Sequence, residues 1–147
     1  MRIILSFKNN KEGYMTEYQI LNMFWMQAIS NAMFQLGVFV LLWAALRGSL
    51  RIYDQGANLP TKIISSLFGL GIVYSGLQIS GFFSINWRSA SYSLGQLDNL
   101  SPHAQRFVDF LPISEPPQFS LIPWDPITGV WWIVVVIALL APIWVKK

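Results

Sequence analysis

At 147 residues, with 54% hydrophobic side chains, only 12% charged ones and a positive mean hydropathy, the chain is too apolar for a soluble domain, in which about a quarter of residues carry charge. Its net charge of +3 is scattered, without the basic run that tracks a phosphate backbone, so nucleic acid is not expected as a partner. The lack of cysteine removes disulfides, thiolate nucleophiles and Cys-based metal sites, and the one histidine, His103, cannot alone build a multi-histidine metal or haem centre; no cofactor is called for.

In chain order, the first feature is "KEGYM", residues 11–15, which can be encoded as AAG GAG GGN TAY ATG, a purine-rich ribosome-binding sequence, a spacer and a start codon. The expectation is that residues 1–14 are an upstream start-site artefact, that Met15 is the start, and that the source is a bacterium or a bacterial virus; the alternative is a genuine polar tail. The gene's codons decide it, since the absence of a GGAG run removes the motive. Neither version resembles a cleaved signal peptide, because the span that follows is too long and has no small-residue cleavage site.

Three stretches are apolar and long enough to cross a hydrocarbon layer of about 30 Å, which takes roughly 20 helical residues. They run over 19–46, 63–85 and 127–145, and each is free of charged residues. That argues against proton relays, voltage sensors and ion-coupled transport, which need ionisable groups at membrane depth. In the first span Gln27, Asn31 and Gln35 recur every four residues and therefore share one helical face, with Ser30 beside them. Gln78 of the second span falls at a depth similar to Asn31, so a bond from Gln78 to Asn31 or Gln27 is expected to tie the two spans. Amides bonded to another subunit, or lining a wet pore, are the alternatives. The second span also presents Ser65, Gly69, Gly76 and Ser80 at intervals of four, seven and four, a smooth face for close packing within the chain or between chains. Gly69, Gly71 and Gly76 do not have the spacing of a nucleotide-binding fingerprint.

Between the second and third spans lies an outer loop, 86–126. In "SPHAQRFVDFLP" Ser101 can cap a helix, Pro102 suits its first position and Pro112 ends it. Ala104, Phe107, Val108 and Leu111 share one face of this short amphipathic, interfacial helix, and Phe107, Val108 and Leu111 are the expected docking surface for a partner if the loop serves one. Asp98, His103, Asp109 and Glu115 read as solvated loop residues, and the Asn99–Ser101 sequon is discounted because Pro102 follows it. The Pro-rich stretch after Pro112 reads as an extended strap.

Basic residues set the expected orientation: Arg47, Arg51 and Lys62 sit between spans one and two and Lys146 and Lys147 at the end, while the outer loop carries an acidic excess. The N-terminus is then outside and the C-terminus cytoplasmic in a bacterial inner membrane. Trp25, Trp87, Trp124, Trp131 and Trp132 fall at the proposed outer boundary and Trp43 and Trp144 at the inner one, as interface anchors. Arg47 and Arg51 are expected to anchor span one by pairing with lipid phosphate or Asp54.

The sequence therefore reads as a single all-α membrane domain of three transmembrane helices with a short interfacial helix in the long loop. The function expected of three uncharged helices is that of a non-catalytic accessory or structural subunit of a larger membrane complex, whose partners are other subunits, copies of itself and lipid. In its small size, N-out and C-in arrangement, polar residues within span one and basic C-terminus, the chain also resembles three-span holins, pore-forming lysis proteins of bacterial viruses. It departs from them in its forty-residue outer loop and in a tail of only two lysines. That resemblance implies homo-oligomeric pores.

Overall fold

The computed structural model describes residues 15–123 and 125–145, and expectations that concern residues 1–14, Trp124, Lys146 and Lys147 lie outside them. The described chain is all-helical: α1 (Glu17–Gln55), α2 (Leu59–Gly95), α3 (Pro102–Phe110) and α4 (Pro126–Trp144). Helices α1, α2 and α4 are long and apolar enough to cross a membrane.

The first two helices are longer than their apolar stretches. With 39 and 37 residues, α1 and α2 run about 58 and 55 Å at 1.5 Å per residue, whereas the 19 residues of α4 give about 28 Å, close to the hydrocarbon thickness. Apolarity marks where a helix can lie in hydrocarbon, but caps decide where it stops. Thr16 and Gln19 form a reciprocal capping box at the start of α1, the Gln19 N–H donating to Thr16 Oγ1 at 3.3 Å and the Thr16 N–H to Gln19 Oε1 at 2.9 Å. At its far end Gly56 takes φ 74°, a left-handed conformation that favours glycine. Asn58 then caps α2 by accepting from the Thr61 N–H at 3.0 Å. The connection is thus only 56–58, and Arg47, Arg51 and Lys62 are helical rather than looped. Likewise α2 continues through Gly95, so the first ten residues assigned to the outer loop belong to a helix.

The short helix in the loop forms as its residues dictate. Ser101 accepts from the Ala104 N–H at 3.2 Å, Pro102 opens α3, and the helix ends before Pro112.

Helices α1 and α2 make an antiparallel hairpin with two separate cores along its length. Near the hairpin turn α4 packs across both helices, burying Val38, Leu42, Ile72, Val73, Trp132, Val135 and Leu139. Toward the open end α3 closes a second core of Ile20, Phe24, Ala90, Leu94 and Ala104. The strap between α3 and α4 is extended and crosses α2 at Gly81.

Candidate functional site

The amide stripe of α1 is the feature that most needs a partner. Among the described residues Gln27, Asn31 and Gln35 make no side-chain hydrogen bond to the protein. Gln27 and Asn31, with Ser30, line a cleft of about 520 Å³ whose opposite wall carries Asn86, Ser89 and Ser93 of α2. Asn31 and Gln35 border a second cleft, of about 470 Å³, shared with Ser80, Ser84 and Arg88 of α2, the strap, and the start of α4. Asn31 stands between the two.

The bond expected from Gln78 to Asn31 or Gln27 is not made. Gln78 instead donates from Nε2 to the Tyr74 hydroxyl of its own helix at 3.2 Å. The reason is helical phase: at roughly 100° per residue, Gln78 lies nearly opposite Gly76, the residue that meets α4, and well away from the buried Ile72 and Val73. Equal depth did not imply equal facing.

The smooth face of α2 is taken up within the chain at two of its four positions. A Cβ added at Gly76 would lie 2.0 Å from Cη2 of Trp132, so only glycine admits that indole. At Gly69 the same Cβ would meet Leu139 at 3.5 Å, an ordinary contact. Ser80 borders the second cleft, and Ser65 is half-buried. The neighbouring Ser66, not singled out in the sequence, accepts the indole N–H of Trp144 at 3.0 Å and ties the end of α4 to α2.

The tryptophans divide. Trp25, Trp43, Trp131 and Trp144 are exposed, as headgroup anchors require. Trp132 is only 4% exposed and fills the core opposite Gly76, which corrects its assignment to the outer belt: its helical phase, two turns before Leu139, turns it inward. Trp87 is also drawn inward. It stacks on Phe107 at 5.2 Å between centroids, meets Phe24 edge-on at 5.0 Å, and its buried indole N–H has no hydrogen-bond partner among the described residues. At the hairpin end Arg47 lies over the Trp43 ring at 5.0 Å and Lys62 approaches the Trp144 ring at 5.9 Å, so Arg47 covers an aromatic face rather than meeting Asp54.

The docking surface on α3 also needs correcting. Phe107 and Val108 pack into the second core, and the Leu111 carbonyl accepts the buried Ser91 hydroxyl. The apolar face turns inward because there it joins Trp87, Leu97 and Leu100 in covering Ile20, Phe24 and Leu94. What α3 exposes is a polar side, where Gln105 donates to Asp109 at 2.8 Å, together with the ring of Phe110 at its end.

Three further ties have no counterpart in the sequence pattern read above. Asn86 donates to the Phe24 carbonyl at 3.2 Å in a buried setting, joining α2 to α1. Glu17 accepts from both the amide and the hydroxyl of Ser101, at 2.8 and 2.7 Å, fastening the start of α1 to the cap of α3. Those two bonds, backbone first, hold the Glu17 carboxyl below its ordinary range. Asp125 caps α4 by accepting from Ile127 and Thr128 at 2.9 and 3.1 Å, and its carboxyl is likewise lowered, first by Thr128. Had α2 been extended past Ile85, the spacing of Asn86, Ser89 and Ser93 would have revealed one polar face; nothing in the sequence pairs Glu17 with Ser101, 84 positions away.

Among the described residues no group of three His, Cys, Asp or Glu could hold a metal ion. The chain matches no protein-family model, no curated protein and no solved structure with which it was compared.

Proposed function

We propose that the chain is a non-catalytic accessory or structural subunit of a larger membrane assembly, seated in a bacterial inner membrane with its N-terminus outside. One observation carries this reading: Gln27, Asn31 and Gln35 open into clefts without a side-chain hydrogen-bond partner among the described residues, although the chain closes both of its own cores with other residues. A helix from another subunit that supplies donors and acceptors there gains on the order of 0.6 to 2 kcal/mol per bond. The orientation is favoured by Arg47, Arg51 and Lys62 lying at the hairpin end, and Glu17, Asp98, Asp109, Glu115 and Asp125 at the other.

The chain has no cysteine, so single-cysteine variants give unambiguous crosslinks. Asn31→Cys, crosslinked in native membranes with a short bifunctional reagent, is expected to join a different protein of fixed mass that also co-purifies with the wild type. A ladder of homo-oligomers together with growth arrest on expression favours the holin-like alternative instead. Only monomer, in membranes where the variant is folded, removes both.

A further inference from the structure

The second cleft holds one cation and one anion that do not pair with each other. Arg88 enters from α2 and Asp125 from the cap of α4, and among the described residues Arg88 has no ion-pair partner. Asn31, Gln118, Ser120 and Thr128 surround them with further donors and acceptors. The volume of about 470 Å³ lies within the range of roughly 300 to 1,000 Å³ usual for small-ligand sites. Two separated opposite charges, each without a counter-ion among the described residues, complement a ligand that itself carries separated opposite charges.

The position of the cleft says which such ligand. It opens where α4 begins, and immediately below it Ile127 and Val130 are exposed, 82% and 60%, on a helix as long as a membrane is thick. Pro123 borders both this cleft and an apolar groove of about 410 Å³ between α2 and α4, walled by Leu77, Ile133 and Val136. A polar cleft above an apolar groove is the shape of a phospholipid.

We propose that this cleft binds the headgroup of a zwitterionic phospholipid with a primary ammonium, the phosphate on Arg88 and the ammonium on Asp125, with an acyl chain in the groove below Pro123. An anionic headgroup satisfies Arg88 but leaves Asp125 without a counter-ion. A choline headgroup carries the right charges but has no N–H to donate to Asp125, Gln118 or Ser120.

The test is native mass spectrometry of the full chain in mild detergent, titrated with phosphatidylethanolamine, phosphatidylcholine and phosphatidylglycerol of matched chains. Wild type is expected to retain phosphatidylethanolamine about tenfold better than the other two, equivalent to about 1.4 kcal/mol. Arg88→Gln and Asp125→Asn should each abolish the preference, the latter while still capping α4, since Asn serves as well at that position. Arg88→Lys should keep part of it. Equal retention of the three lipids, stronger retention of phosphatidylglycerol, or a preference that survives both charge-removing variants overturns the proposal. Displacement of the lipid by an equal concentration of free phosphoethanolamine overturns the assignment to lipid.

Discussion

The two cores of this molecule are held by different means. Around the hairpin end, α1, α2 and α4 meet through side-chain shape: Trp132 sits on Gly76 and Leu139 on Gly69, with a hydrogen bond from Trp144 to Ser66 at the margin. At the open end the helices are tied by polar groups: Asn86 to the Phe24 carbonyl, Ser91 to the Leu111 carbonyl and Ser101 to Glu17, around the rings of Phe24, Trp87 and Phe107. The contrast follows from the surroundings that each region's composition suits. Between helices in hydrocarbon no hydrophobic gain separates protein from lipid, so close packing across small residues decides association. Beyond the apolar stretches, a short helix and a strap must be held against long helices, and capping and carbonyl bonds supply the register.

The contrast can be broken first at Gly76. Gly76→Leu drives a side chain into the buried Trp132 ring, and overpacking of this kind costs about 1 to 3 kcal/mol. The expected outcome is the largest fall in thermal midpoint of any single change here, followed by circular dichroism in detergent, with partial recovery when Trp132→Leu is added. A midpoint unchanged from wild type would place α4 elsewhere. Next comes Asn86→Leu, which removes one interhelical bond at a cost of about 0.6 to 2 kcal/mol. Hydrogen exchange should rise over 17–30 and 96–110 while the packed region around Leu139 keeps its protection; uniform loss of protection would mean the two cores are one cooperative unit.

Smaller still is the Glu17 tie. Its carboxyl is lowered in the folded chain, so the contribution is complete above the ordinary carboxylate value of about 4.3 and fades as pH falls through the lower folded value. The Ser101 amide shift in nuclear magnetic resonance should titrate with a midpoint below that ordinary value and stop titrating in Glu17→Gln; a midpoint at or above it contradicts the tie. The smallest effect is expected of Gly69→Ala, where the new methyl meets Leu139 at ordinary contact distance, and the midpoint should correspond to within about 0.5 kcal/mol of wild type.

Local chemistry was readable without coordinates. Three uncharged apolar stretches imply three helices suited to a membrane, and the Ser101–Pro102 start of α3 was legible because a cap and a proline act on the backbone within four residues. The same holds for the shared face of Gly69 and Gly76, a matter of helical period alone. Helix ends beyond the apolar stretches were less legible, since polar residues from Arg47 to Gln55 and from Asn86 to Gly95 are as compatible with helix as with loop.

Facing was decided only in three dimensions. Gln78 and Asn31 stand at similar depth but the rotation of α2 separates them; Trp131 and Trp132 are neighbours in sequence, yet one is exposed and the other fills the core. Periodicity establishes which residues of one helix share a side, but the side that meets a neighbour depends on the packing of all three helices at once. For the same reason Phe107 became core rather than docking surface, and Glu17 found Ser101: contacts between distant segments are properties of the assembled fold, and no local spacing encodes them.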